Sequence, residues 1–240
     1  MFHPSSPSPC FLYAWSGFQA IEAIFAAMAD ALPGEVPAGS GGDTCSLIWW
    51  GTRVGTAEPW ADGAPHPIGQ GAHALGDGAC SQMHHGEASC RFPPVEIWEA
   101  RNPWLLERVE LAADSGGAGT WRGGLGVDMF FHILEDCWVT SALERTKLAP
   151  WGIRGGRDGR PNSVRVRHPD GSHTPSFGKA TGLALRRGST VELQTGGGGG
   201  FGPPEDRDPA AVHEDVRLGY TSEEQARTDY PHAYHHGGSA

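Results

Sequence analysis

Residues 196–202 read Gly-Gly-Gly-Gly-Gly-Phe-Gly, and two further clusters, Gly116–Gly126 and Gly152–Gly159, are nearly as poor in side chains. Such segments have little apolar surface to bury and the most backbone entropy to lose, so they order only where other parts of the chain hold them. Glycine makes up 36 of the 240 residues, and there are 19 prolines. The glycines follow no G-X-Y period, which excludes collagen. Nine tryptophans and nine phenylalanines argue against disorder, because each aromatic ring brings a large area to bury. The combination predicts a loop-rich globular chain, read as a single domain over residues 1–240 with residues 1–15 and 231–240 poorly ordered.

Charge narrows the possible partners. A formal net charge of −10 opposes a nucleic-acid or anionic-membrane binder. No stretch approaches the ~18 apolar residues of a bilayer span. The N-terminal residues show neither the basic nor the apolar region of a secretory signal. Five cysteines, Cys10, Cys45, Cys80, Cys90 and Cys137, form no CxxC pair and suggest reduced, inert thiols in a cytoplasmic protein.

Periodicity places a helix first. Phe18, Ile21, Ile24, Phe25, Met28 and Leu32 recur at helical spacing, with Ser16 as cap and Pro33-Gly34 as stop. Leu47–Trp50 reads as a buried strand, and Ala57–Glu87 as a long irregular loop. From Val95 onward the pattern is of strands: Leu105–Leu111, Val127–Leu134, Trp138–Leu143, Ser163–Arg167 and Thr190–Gln194. Pro169-Asp170-Gly171-Ser172 is a turn. Asp208 before Pro209 opens a helix that Gly219 closes, and Ser222 caps a second one. The fold class is α+β: β-rich, largely antiparallel sheets with an N-terminal helix and short C-terminal helices.

Several groups invite a chemical role. His66, His73, Asp77, His84, His85 and Glu87 lie in one irregular stretch, but their spacing matches neither HExxH nor HxH, and two adjacent histidines need special backbone geometry to face one ion. A solvated loop without metal is the expectation. Gly117-Ala118-Gly119 resembles part of a dinucleotide fingerprint, yet the chain re-enters a strand rather than a helix. The run after Thr195 lacks the GK[ST] ending of a P-loop. Both glycine segments are read either as tight turns or as backbone cradles for an anion. Glu96 and Glu99 flank Trp98 and Arg101 follows, with Glu99 and Arg101 read as a polar pair and Arg122 as another partner for Glu99. Lys179, among small residues, is a candidate contact for a ligand carboxylate. Trp49, Trp50 and Trp60 are candidates for an exposed interface.

The run PPVEIWEARNPWLLERVELAADSGGAGTWRGGLGV resembles the hydantoinase B/oxoprolinase family, in which a PxExxExxxP segment leads into DSGGAGxxRGGxG. APWGIRGGRDGRPN, the segment from Phe177 to the C-terminal helices, and the helix from Gln19 follow the same order, so the resemblance extends to about Tyr230. It corresponds to the C-terminal half of a B-type subunit. It implies ATP-dependent ring-opening hydrolysis of a cyclic amide, such as 5-oxoproline or an N-substituted hydantoin. It also implies a hydantoinase A-type ATPase partner, the remaining N-terminal half of the B-type subunit, and a small-molecule substrate. ATP and Mg²⁺ are expected on the partner, with no cofactor or metal on this chain. Within that setting Glu99, Arg101 and Asp114 are the catalytic candidates. Ser115, Gly116, Gly117, Arg122, Gly123, Gly124 and Lys179 are the substrate-binding candidates. The alternatives are a subunit of an acetone or acetophenone carboxylase-like complex, a non-catalytic assembly module, or a truncated remnant.

Overall fold

The computed structural model describes residues 15–42, 45–87 and 90–234. Eight strands form two four-stranded sheets, every described pairing antiparallel: β1 (Ser46–Thr52), β2 (Pro59–Ala64), β3 (Trp104–Leu111), β4 (Val127–Ile133), β5 (Cys137–Ala142), β6 (Ser163–Arg167), β7 (Lys179–Leu185) and β8 (Thr190–Gln194). One sheet has the order β2-β1-β5-β7 and the other β3-β4-β8-β6. The described residues also form four α-helices: α1 (Trp15–Met28), α2 (Val95–Arg101), α3 (Pro209–Arg217) and α4 (Glu223–Asp229). The α+β reading holds.

Alternation explains how the sheets meet. On β4, Val127, Met129, Phe131 and Ile133 are buried while the residues between them are half-buried. The period of two puts one set on the inner face. Leu47, Trp49 and Val139 of the first sheet join Phe131, Val164 and Leu193 of the second in one core. Trp49 lies 5.3 Å from Phe131, ring centre to ring centre. Trp49 is therefore a core residue, 2% exposed, and not the interface residue its sequence context suggested. Trp60 is only partly buried and packs against the same core.

Three other sequence expectations change. Residues 57–87 contain the edge strand β2, whose PWADGA sequence has no apolar alternation to reveal it. Val95–Arg101 is a helix, started by Pro93-Pro94, with only Trp98 of its seven residues buried. Helix α1 stops at Met28 and continues as turns to Leu32, so Pro33-Gly34 lies beyond its end. The proposed Ser16 cap falls on a side chain outside the described ones. At the other end the capping signals are realised: Asp208 accepts from Ala210 N at 2.8 Å, Ser222 accepts from Gln225 N at 3.1 Å, and Gly219 takes φ +74°.

The glycine clusters converge on one object. Residues 196–200 run through the middle of a bundle of extended segments and bond to a different neighbour at nearly every step. Gly196 O accepts from Gly69 N (2.9 Å), Gly197 N donates to Arg160 O (3.1 Å), and Gly198 N donates to Gly124 O (2.8 Å). Gly198 O accepts from Gly117 N (2.8 Å), Gly199 N donates to Gly39 O (2.8 Å), and Gly200 O accepts from Ile153 N (3.0 Å). Backbone touches backbone so closely that a Cβ on Gly198 would lie 1.9 Å from Gln70 O, and one on Gly123 1.9 Å from Gly198 O. No side chain fits there.

The C-terminal helices clamp this bundle. Ala118, Val212, Ala226 and Tyr230 form a second, smaller core, and Gly119 N donates to Tyr230 Oη. Buried Arg207 bonds Asp77 through both guanidinium nitrogens (2.7 and 2.8 Å) and Asp215 at 2.7 Å, while Arg122 reaches Asp215 at 3.2 Å. Burial by itself would raise the Asp77 carboxyl, but Arg207 and then Arg122 hold it below its usual value.

Candidate functional site

The sequence-derived candidates fall in three separate places. Glu99 and Arg101 sit on α2, but no ion pair joins Glu99 to Arg101 or Arg122 among the described residues. Glu99 Oε1 instead accepts from Leu106 N at 2.8 Å, fixing the entry to β3, and Arg101 is exposed with its carbonyl accepting from Arg53. Asp114 has a left-handed φ of +62° and accepts from Ser222 N at 2.7 Å, tying the bundle to α4. Ser115 is fully buried. Its hydroxyl donates to Ala112 O (2.6 Å) and accepts from Gly126 N (3.0 Å). Gly116, Gly117, Gly123 and Gly124 line up within the bundle, where Gly117, Gly123 and Gly124 donate their amides to the carbonyls of Gly198, Gly117 and Gln70. Arg122 is 4% exposed and engaged by Asp215 and Gly123 O.

Lys179 lies elsewhere, at the start of β7, in a cleft of ≈ 590 Å³ that Gln19, Glu144, Arg145, Lys147 and Gly178 also line. Its ammonium pairs with Glu144 at 2.6 Å and stays largely exposed. Arg145, stacked 4.2 Å above the Trp151 ring, connects the cleft to a cluster behind it. Its Nη2 is 3.3 Å from Glu22 Oε2.

Glu22 is absent from the sequence-derived candidates. On α1 it lies on the face that Phe18 and Phe25 occupy, and it is 2% exposed. Ser40 binds both of its oxygens, Oγ to Oε1 at 2.8 Å and N to Oε2 at 3.3 Å. His84 Nε2 and His85 Nδ1 approach Oε1 at 3.6 and 3.7 Å. Burial would raise the Glu22 carboxyl, but His84, Ser40 and Arg145 together hold it below the usual carboxylate range. Of the other histidines named from sequence, His66 is wholly buried in the main core and shares nothing with this cluster. Its burial pushes its pKa down to about 4.

Two of the described thiols, Cys45 and Cys137, are buried, while Cys80 is half-buried and Cys90 exposed. Cys45 is buried with its Sγ 3.0 Å from Asn162 Oδ1, burial pushes the Cys137 thiol up to about 12, and Cys80 accepts from Leu125 N. Cys45, Cys80, Cys90 and Cys137 form no disulfide.

The hydantoinase B/oxoprolinase family matches residues 1–204, most of the chain. The chain belongs to that family. The protein MJ0963 of Methanocaldococcus jannaschii, of uncharacterised function, is 34% identical over 95% of this chain and 39% of its own length. The caprolactamase subunit beta of Pseudomonas jessenii is 34% identical over 57% of this chain and 24% of its own. The chain thus spans well under half the length of these relatives. A crystal structure of the ATP-dependent caprolactamase from Pseudomonas jessenii superposes with a TM-score of 0.74 and 27% identity over 85% of this chain and 37% of the other. An acetone carboxylase structure superposes with a TM-score of 0.68 at 21% identity, over 82% of this chain and 30% of the other, a likeness of fold. No described helix is long and apolar enough to cross a membrane.

Proposed function

We propose that this family member acts as part of a B-type subunit in ATP-dependent, ring-opening hydrolysis of a cyclic amide such as 5-oxoproline or an N-substituted hydantoin. The observation that carries this reading is the likeness to caprolactamase, in sequence over 57% of the chain and in fold over 85% of it. The likeness to acetone carboxylase is weaker in sequence and supports the architecture only. A hydantoinase A-type ATPase subunit, carrying ATP and Mg²⁺, would activate the substrate, and the rest of the B-type subunit would complete the site.

On this chain the cleft offers the chemistry. Arg145, Lys147 and Lys179 line an opening on the order of a small-molecule pocket, Arg145 also paired with Glu22 and Lys179 with Glu144, which a ligand anion would displace from Lys179. Such a lining suits the carboxylate of 5-oxoproline or a phosphoryl group on an activated amide. The bundle beside it is rigid because every segment is held by backbone hydrogen bonds on several sides. Asp114, Ser115 and Arg122 then act by locking that scaffold, and Glu99 by fixing α2 to β3.

The test is reconstitution with an A-type subunit and the missing B-type segment. Release of ADP together with the ring-opened amino acid from 5-oxoproline or hydantoin supports the reading. ADP release only with a ketone and bicarbonate points to carboxylation instead, and a stable complex without turnover points to an assembly module. Lys179→Ala is expected to raise KM about tenfold, the equivalent of ~1.4 kcal/mol, with little change in kcat.

A further inference from the structure

We propose that Glu22, His84 and His85 form a binding site for a first-row divalent metal ion of the zinc type. Two imidazoles and a carboxylate are a donor set suited to such ions. The inference does not rest on the cyclic-amide reading.

The carboxylate is already oriented for it. Arg145 and the Ser40 amide hold Oε2, and the Ser40 hydroxyl holds Oε1, which is the oxygen both imidazoles face. The approaches of 3.6 and 3.7 Å are too long for N–H···O hydrogen bonds. They are close to the roughly 3.3 Å that separates neighbouring ligand atoms around a tetrahedral ion with bonds of about 2.0–2.1 Å. All three ligand atoms lie within 4.8 Å of one another.

His84 supplies the independent observation. The residue is fully buried, and its Nε2 has no hydrogen-bond partner within bonding distance. A buried polar atom left this way costs free energy unless something binds it. The adjacent histidines also meet the geometric condition that sequence alone could not supply. A 3₁₀ turn starting at His85 (His85–Glu87) brings the two rings to 3.8 Å, and Phe18 and Phe25 of α1 pack on them at 4.4 and 5.6 Å. Residues 18, 22 and 25 occupy one face of α1, so a single helix supplies the carboxylate and both supporting rings. His85 is 34% exposed on its side chain, which gives an ion a way in.

One local change accompanies binding. Gly86 N meets His84 Nδ1 at 3.1 Å, so the metal-free ring carries its proton on Nε2. Coordination through Nε2 moves that proton to Nδ1 and turns the Gly86 amide, a rearrangement confined to the short turn.

The probes are ZnCl₂ and CoCl₂ on the purified full chain, with His235 and His236 changed to alanine so that the tail cannot bind. The expected result is one equivalent of Zn²⁺ by calorimetry and a Co²⁺ visible spectrum of low coordination number. Both should weaken at least tenfold in His85→Ala. Zn²⁺ should raise the melting temperature of the parent and not of His85→Ala, whose metal-free melting temperature is expected to match the parent's because the ring is part-exposed. Glu22→Gln, checked for folding by circular dichroism, should lose the Co²⁺ spectrum too. Substoichiometric uptake, or uptake unchanged in His85→Ala, would overturn the proposal.

Discussion

The two-sheet core and the glycine bundle lie side by side in one chain and are held together by opposite means. In the core, side chains do the work: Trp49, Trp104, Phe131 and Leu193 interdigitate, and the backbones stay a sheet spacing apart. In the bundle, the absence of side chains is the condition of assembly, and cohesion comes from amides and carbonyls meeting on several sides. A core residue can be replaced by another of similar size, because shape is shared among many partners. A bundle glycine cannot, because the space its Cβ would need is filled by a carbonyl oxygen that is itself bonded.

The sharpest way to break this contrast is Gly198→Ala. Its Cβ would stand 1.9 Å from Gln70 O, with backbone rather than flexible side chain in the way. The expected cost exceeds about 5 kcal/mol, comparable with the whole stability of a domain, so soluble folded chain should be lost. A urea midpoint near that of the parent would mean the bundle is not rigid. Phe131→Ala comes next, at about 3–5 kcal/mol, with a folded product that unfolds at lower urea.

A smaller effect is expected from pH. His66 is buried beside Phe131 and Trp98, with Nδ1 2.7 Å from Cys45 O, and its pKa is about 4 against 6.5 when free. The unfolded chain therefore binds a proton that the folded chain refuses. The stability due to neutral His66 is complete above about pH 6.5 and is lost as pH falls towards about 4, by at most ~3 kcal/mol. His66→Leu should flatten that part of the acid limb in urea melts, and an unchanged limb would refute it. The smallest effect has the opposite sign. Gly17 in α1 has nothing within 4 Å of its Cβ position, so Gly17→Ala should stabilise by about 0.5–1 kcal/mol. One substitution type thus spans both extremes according to its region.

How much was legible in the sequence follows the same division. Strands β4 and β8 are legible because apolar residues recur at every second position, Val127, Met129, Phe131 and Ile133 in one and Val191 and Leu193 in the other, and α3 and α4 because Asp208, Pro209, Gly219 and Ser222 are local signals. Strand β7 was missed because KATGLAL is small and mostly exposed. The glycine clusters were located, but not their convergence, since contacts between backbones leave no period in the side chains. Lys179 was singled out as a lone cation, and the structure gives it a cleft. Glu22 shares the face of α1 that Phe18 and Phe25 occupy, but the partners that satisfy its carboxylate, Ser40 and Arg145, leave no local signal.

The position of the hub has a consequence for synthesis. Residues 39, 69, 117, 124 and 153 all lie before the segment 196–200 to which they bond. A ribosome that has reached residue 195 has delivered these segments but neither the thread that joins them nor the C-terminal helices that clamp the bundle. Bonds among the earlier segments, such as Ala38 N to Ala72 O and Gly124 N to Gln70 O, can form first, but the bundle cannot close as the chain emerges. It waits for its central thread, and until then water must satisfy the amides and carbonyls that the thread bonds in the finished molecule.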